Sequence, residues 1–386
     1  MTVRVNKSSF SIREKLSELE RPIGLKGSEL MRAETVQEAR ELVSAGRKNL
    51  IINGAMRVAQ RGTSGTGSGY TSVDRFKLAT SSGDVTLSQG SLTSGSPYDK
   101  GFRNFLRVTN TSTTTATNGY RELDYSVEAQ DLANSGWVIS NSNSHATISF
   151  WVRSSVSQRF YMYIRCVDGT TKSYTFPFDT IANTWVKVEQ TIPGDSTLTV
   201  NNDNGQGLLI RFVVHYGTNY TGSGATNNVW RVTGSDYSQD MPTSFALTAG
   251  ATFDVTGLQL EAGKNATEFE HRSYGEELAL CQRYYQKHLN PALRGVAGGS
   301  TALNRMGTSL PVTMRDNPVL TIEGTFSWYD GNVTGNFTSG NLTGTHSRPS
   351  FVEIEATAAS GTTTMHNPIV TYITGTASYL ICSSEL

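Results

Sequence analysis

Aromatic and planar polar side chains recur at alternate positions in the middle of the chain, opposite the apolar residues of the same segments. An exposed aromatic ring can cover the apolar face of a pyranose, and planar polar groups beside it can bind the hydroxyls. The pattern therefore predicts a concave glycan-binding platform. The alternatives are that this face is a subunit interface and that Trp185 belongs to the core. The candidates are Trp151, Tyr161, Tyr163, Trp185, Arg211 and His215.

Carboxylates and histidines give little sign of catalysis. Glu122 and Asp124 are two residues apart and share one face of a predicted strand, which suits an acid/base pair. Carboxylates placed like this on a wet sheet face are far more often solvated. The 6 histidines form no metal-binding motif, and no arrangement suggests an activated nucleophile. We therefore predict that the chain is not an enzyme.

Composition limits the classes of partner. Lys+Arg and Asp+Glu both number 33, so no positive excess is available to neutralise a phosphate backbone, and nucleic acid is not an expected partner. The 3 cysteines are far apart with no CxxC spacing, which argues against a disulfide framework or a thiolate zinc site. No apolar run resembles a signal peptide or a membrane span, so we expect cytoplasmic synthesis and no membrane insertion.

The segments that carry the aromatic residues have the two-residue alternation of half-buried strands. In segment 147–155, Ile148, Phe150 and Val152 face one way, and the residues between them face the other. At least eight such segments between 49 and 263 are separated by Gly, Asn and Ser turns, without intervening helices. This pattern predicts a mostly β protein built on an antiparallel β-sandwich of jelly-roll type, spanning 49–272.

The first 48 residues differ from the rest of the chain. Two capping boxes, at 11–14 and 35–38, predict two short helices with Leu16 and Leu19 on the first and Val36 and Leu42 on the second. Helices of this length need a partner for their apolar faces. That partner is either the neighbouring β domain or another protein, in which case 1–48 is an attachment arm.

The sequence pattern after the sandwich predicts a connector helix over 273–290 and a smaller antiparallel β domain over 291–386. The apolar stripe of the helix contains Leu278, Cys281 and Tyr285. We take these three residues as candidates for a seam between subunits, because closed cyclic symmetry would bury such a helix and protect strand edges.

Several sequence segments resemble those of known protein families. The spacing of NLIINGAM, LANSGW, TWVKVEQT and FDVTGLQLEAG looks like that of jelly-roll carbohydrate-binding modules. NLIINGAMRVAQRG, VEAQDLANSGW, GLQLEAG, EHRSYGEELALCQRYYQK and LPVTMRDNPVLT, in this order over roughly 45–330, are similar to tail-fibre virion proteins of marine and cyanobacterial phages. The segment KSSFSIREKLSELERPIG also resembles the N-terminus of short-tailed cyanophage fibres.

The phage resemblance implies a homotrimeric virion protein that attaches to tail or capsid proteins through 1–48 and adheres to host cell-surface polysaccharide. A capsid decoration protein (head fibre) is the alternative, and a polysaccharide-degrading tailspike is a weaker one. Carbohydrate-binding jelly rolls often hold a calcium ion, but Met56 and Thr256 occupy the corresponding places and cannot supply carboxylates. Asp74 and Asp254 are the weak metal candidates nearby, and we expect no cofactor.

Overall fold

The computed structural model describes residue 32 and the ranges 48–81, 85–298, 304–331, 334–339, 342–357, 367–372 and 377–386. The predicted arm helices, with Leu16, Leu19, Val36 and Leu42, lie outside these residues. Within the described ranges, no helix has both the length and the hydropathy needed to cross a bilayer. The strands confirm the prediction of a mostly β, antiparallel protein with a jelly-roll sandwich.

Two six-stranded antiparallel sheets form the sandwich. The first sheet contains, in spatial order, β1 (Ser64–Thr66), β3 (Val85–Ser91), β4 (Asn104–Asn110), β12 (Thr252–Ala262), β6 (His145–Ser154) and β9 (Val186–Pro193). The second sheet contains β11 (Trp230–Val232), β8 (Lys172–Asp179), β7 (Arg159–Cys166), β10 (Gln206–Tyr216), β5 (Tyr120–Glu128) and β2 (Phe76–Thr80). The short helices α1 (Ser96–Asp99) and α2 (Ala129–Ala133) lie in loops.

The inner faces of the two sheets supply one hydrophobic core. Ile148, Phe150 and Val152 of β6 are fully buried in it, as their alternation predicts. Phe150 packs edge-on against Phe212 of the opposite sheet, with ring centroids 5.0 Å apart. Burial of each such side chain contributes about 1.5–3 kcal/mol. This free energy determines which side chains of a strand point into the core, and the alternate side chains therefore point outward.

A β-bulge in β10 changes the predicted alternation at one place. The pairing of β10 with β5 shifts register between Val213 and His215. As a result Tyr216 joins Val213 on the outer face, although strict alternation along β10 would place it beside Phe212. His215 pairs with Arg121 and is turned away from the outer face.

The start of the sandwich is a buried turn, although its apolar run resembles a strand. Asn53 has a positive φ of 61°, and its side chain replaces a strand partner. Its Oδ1 accepts from the amide of Val58 at 2.9 Å, and its Nδ2 donates to the carbonyls of Val58 at 2.8 Å and Asp74 at 3.0 Å. These bonds satisfy buried backbone groups without a ladder.

The predicted connector helix is shorter than the sequence indicates. Helix α3 covers Tyr274–Gln282, and Ser273 caps it by accepting a hydrogen bond from the amide of Glu276. The chain then forms β13 (Tyr285–Leu289), so the second half of the predicted helix is a strand. Paired aromatic residues favour this change because they suit a pleated sheet better than a helix.

The prediction of a seam between subunits is wrong for two of its three candidate residues. Cys281 is fully buried and Tyr285 is 6% exposed within this one chain. Cys281 packs in a small cluster with Ile52, Val58 and Tyr284, and Leu278 lies at its margin. A side chain already covered by its own chain has no surface left for a second subunit.

The C-terminal β region contains two antiparallel sheets around its own apolar core. A three-stranded sheet consists of β13, β22 (Tyr379–Ser383) and β16 (Val319–Glu323). A seven-stranded sheet consists of β18 (Thr334–Phe337), β17 (Phe326–Tyr329), β21 (Pro368–Tyr372), β14 (Arg294–Val296), β15 (Asn304–Ser309), β20 (Phe351–Ala356) and β19 (Leu342–Arg348).

Ion pairs join this region to the sandwich. Arg283 donates through Nε and Nη2 to the two carboxylate oxygens of Glu128, both at 2.8 Å. Arg75, almost fully buried, pairs with Glu385. Charged groups removed from water are costly unless paired, so these pairs hold the two β regions in one arrangement.

Candidate functional site

The six predicted glycan-binding residues do not form one platform. Trp151 is on β6 of the first sheet, and Trp185 immediately precedes β9 of that sheet. Tyr161, Tyr163 and Arg211 are on the outer face of the second sheet. Because the sheets bury their inner faces against each other, these two outer faces point away from each other. His215 belongs to neither.

The second sheet carries a closed cluster of tyrosines. Tyr161 and Tyr163 are 1% and 0% exposed. The chain between β10 and β12 covers them: the ring of Tyr237 lies 5.3 Å from that of Tyr163 and 5.7 Å from that of Tyr216. Ring faces covered in this way cannot stack on a sugar, so these two tyrosines are poor ligand contacts.

Arg211 lies at the edge of this cluster and is held by carboxylates. Its Nε and Nη2 donate to the two oxygens of Asp124 at 2.7 and 2.8 Å, and its Nη1 donates to Glu122 at 2.7 Å. The two carboxylates that suit an acid/base pair by spacing are therefore bound to one guanidinium. This arrangement stabilises the sheet by charge-assisted hydrogen bonds.

His215 is buried among groups that give it no hydrogen bond. It is 3% exposed, and neither ring nitrogen has a partner in the described structure. Burial, together with the charge of Arg121, lowers the pKa of His215 to about 4. A histidine that is neutral and enclosed in this way cannot contact a ligand at the surface.

The outer face of the first sheet is open and carries an aromatic row. Pairing registers place Gly90 beside Phe105 on β3 and β4, and Thr256, Trp151 and Lys187 side by side on β12, β6 and β9. The ring of Phe105 lies over Gly90, at the place that a Cβ atom would occupy. Trp151 is partly exposed and Lys187 is exposed. An indole and an ammonium group thus share one accessible surface.

A charged row runs beside the aromatic one. Asp254, 1% exposed, lies between two arginines. Arg107 donates to it through Nε at 2.7 Å and Nη2 at 2.9 Å, and Arg153 through Nε at 2.9 Å and Nη2 at 2.7 Å. The guanidinium of Arg153 also lies 4.7 Å from the ring centre of Trp185 and 5.4 Å from that of Phe105. The carboxylate fixes the arginines, and the arginines support the rings.

A shallow pocket opens beside Trp151. Two loops wall it, one following α1 and one following β12, and Phe102 and Phe269 pack edge to face there at 4.8 Å. Exposed charges stand at its rim, where Lys100 lies 3.5 Å from Glu268. Its lining consists of Lys100, Phe102, Ser149, Trp151, Lys187, Gly257, Thr267, Glu268 and Phe269. We call the pocket and the two rows together the open face.

The two weak metal candidates lie in different environments. The oxygens of Asp254 accept from two cationic side chains, which disfavours a further cation. Asp74 is buried and accepts from the amide and side chain of Gln60 at 3.0 and 2.5 Å. Burial raises the pKa of Asp74 to about 6. Among the described residues, neither carboxylate belongs to a group of three side chains able to share one ion.

The sequence pattern predicts part of the open face. It predicts Trp151 and Trp185, and alternation places Arg153 and Lys187 on the same side as these rings. It misses Phe105, Arg107 and Phe269, which contribute to this face from β4 and from the loop after β12. Their only signal is strand pairing between distant parts of the chain, which alternation does not specify.

No protein-family description matches the chain, and no curated protein matches it. Solved structures similar to it include the family 11 carbohydrate-binding module of a cellulosomal cellulase of Clostridium thermocellum, with 15% identity, TM-score 0.27 and coverage of 54% of this chain and 98% of that chain. TmCBM61 in complex with β-1,4-galactotriose has 8% identity and TM-score 0.26, and the match covers 57% of this chain and 100% of that chain. The CBM22-1 and GH10 modules of a Clostridium thermocellum xylanase complexed with xylohexaose have 9% identity and TM-score 0.28, and the match covers 51% of this chain and 28% of that chain.

Proposed function

We propose that the chain is a non-catalytic polysaccharide-binding protein and that the open face is its binding surface. The observation that carries this proposal is the combination of two partly exposed tryptophans, Trp151 and Trp185, with fixed arginines on one sheet face. An indole provides a flat apolar surface for the axial C–H groups of a pyranose, and the sheet holds it with little loss of side-chain entropy on binding.

The arginines beside the rings supply hydrogen-bond donors. Arg107 and Arg153 bind Asp254 through Nε and Nη2, so within the described part of the chain Nη1 of each remains for a sugar hydroxyl or carboxylate. Their side chains are 35% and 26% exposed, which leaves them within reach of a ligand. Rings with fixed donors next to them are the arrangement that orients a sugar.

The test is native affinity electrophoresis of the full chain in gels that contain soluble β-glucan, xylan or bacterial O-antigen polysaccharide. We expect retardation by at least one polysaccharide, and we expect Trp151→Ala and Trp185→Ala each to weaken it about tenfold or more, as anchor residues do. Tyr163→Phe is the matched control, because that ring lies in the closed cluster. Equal binding by all four proteins would refute the open face as the site.

We further propose that the chain does not cleave the polysaccharide it binds. On the open face both oxygens of the buried carboxylate of Asp254 already accept hydrogen bonds from two guanidinium groups, so this side chain is not placed to act on a bound sugar. Incubation of the retarding polysaccharide with the protein should release no reducing ends above a buffer control. Release of reducing ends would instead support the tailspike alternative.

The phage resemblance supports a finer proposal, in which this is a virion fibre or receptor-binding protein attached through 1–48. Deletion of 1–48 should leave a folded, soluble β protein that no longer joins phage particles. Analytical ultracentrifugation tests the homotrimer, and a monomer would refute it. Electron microscopy of intact particles separates tail attachment from the capsid-decoration alternative.

A further inference from the structure

Three side chains able to ligate a metal ion meet on the outer face of the seven-stranded sheet, which is a different sheet from that of the open face. His346 of β19 lies directly opposite Glu353 of β20, and Glu355 is two residues further along β20. The intervening Ile354 is buried in the C-terminal core. Alternation therefore sends both carboxylates to the same side of the sheet as the imidazole.

The distances between these groups suit one ion. His346 Nε2 lies 3.3 Å from Glu355 Oε1. One ligand atom from each of the three residues lies within 4.8 Å of the others. Donors bound to zinc at about 2.0–2.2 Å are roughly 3.4 Å apart in tetrahedral geometry. Since the His346 side chain is 63% exposed, a small rotation brings the set together.

Arg305 of β15 positions the most buried ligand. Its Nε donates to Glu355 Oε1 at 2.7 Å, and its side chain is 62% exposed. A hydrogen-bonded partner outside the ligand set is the usual way in which a ligating carboxylate is held in place. The positive charge opposes the cation, but water screens a group this exposed. The effect is an affinity below that of a fully enclosed zinc site.

The surroundings leave room for further ligands. A hollow beside the three groups is lined by Thr345, His346, Ser347, Arg348, Phe351 and Glu353. Calcium and magnesium prefer sets made of oxygen alone, whereas an imidazole with carboxylates suits zinc. We propose that His346, Glu353 and Glu355 form a zinc-type divalent cation site that links the edge strand β19 to β20, with water completing the coordination.

The test uses the full chain, freed of metal by a chelator, and isothermal titration with zinc chloride. We expect one ion per chain with micromolar affinity, weakened at least thirtyfold by His346→Ala and by Glu353→Gln. His145→Ala is the control, because that histidine lies on the sandwich and its ring Nδ1 bonds to the backbone carbonyl of Asn143. Calcium chloride should give no comparable binding.

A second readout separates ligand loss from misfolding. Cobalt(II) bound to an imidazole and carboxylates gives visible absorption bands, which should appear in the wild-type protein and in His145→Ala but not in His346→Ala. Far-ultraviolet circular dichroism of the variants should match that of the wild type. Binding of zinc that is unchanged in His346→Ala, or no saturation below 1 mM zinc, would overturn the site. Neither outcome bears on the polysaccharide proposal.

Discussion

Asp254→Asn is the most informative single change on the open face. The amide has the shape of the carboxylate, but it carries no charge, and its nitrogen would meet the N–H groups of Arg107 or Arg153. Removing one member of a buried ion pair costs about 3–5 kcal/mol when the other is left uncompensated. Here the arginine side chains are 35% and 26% exposed, so water screens part of their charge. We expect the free energy of unfolding to fall by about 2 kcal/mol.

The same change should weaken polysaccharide binding about tenfold, or about 1.4 kcal/mol, because Arg153 would no longer be held against Trp185. Urea unfolding followed by tryptophan fluorescence measures the first effect, and affinity electrophoresis measures the second. Asp179→Asn is the matched control, since its pair with Arg159 is exposed on both sides and is worth little. If Asp254→Asn were as stable as this control and bound polysaccharide like the wild type, the reasoning about the charged row would be wrong.

Three further predictions concern the fold that supports the site. The lowered pKa of His215, about 4, means that the unfolded chain takes up a proton before the native protein does. Stability should therefore fall as the pH drops from 6.5 to 4, by up to about 3 kcal/mol at about 1.4 kcal/mol per pH unit. His215→Phe should remove this part of the dependence in urea titrations, and an unchanged pH profile would contradict the burial argument. Gly90→Ala should displace the ring of Phe105 and weaken polysaccharide binding in electrophoresis, whereas normal binding would show that the ring is dispensable. The three cysteines are buried, so a thiol reagent should label none quickly in the native protein and all three in urea; fast native labelling would refute their burial.

Alternation in sequence specifies which side of a strand is buried, and this part of the fold could be predicted. Ile148, Phe150 and Val152 point into the core, so Trp151 and Arg153 must point out of it. The physical reason is local, because successive side chains of a strand face opposite ways whatever its neighbours are. Strand β7, Arg159–Cys166, alternates in the same way, with Met162 and Ile164 in the core and Tyr161 and Tyr163 on the outer face.

Strand neighbours and covering loops could not be predicted in this way. Alternation places Trp151 and Tyr163 equally well on an outer face, but it does not say that their strands belong to opposite sheets. That separation follows from pairing of β6 with β12 and of β7 with β10, which are far apart in the chain. The bulge beside Val213 depends on how β10 pairs with β5, and it reverses the side chains that follow it.

The two outer faces contain the same kinds of charged group, guanidinium and carboxylate, in opposite ratios. On the closed face, one guanidinium, that of Arg211, lies between the carboxylates of Glu122 and Asp124. On the open face, one carboxylate, that of Asp254, lies between two guanidinium groups. The first arrangement uses the Nε, Nη1 and Nη2 donors of its arginine, so the neighbouring rings can be covered by a loop without leaving that charge unpaired. The second arrangement has more guanidinium N–H donors than one carboxylate can accept, and it lies beside partly exposed rings. A ligand rich in hydroxyl or carboxylate oxygens is the kind of molecule that completes it.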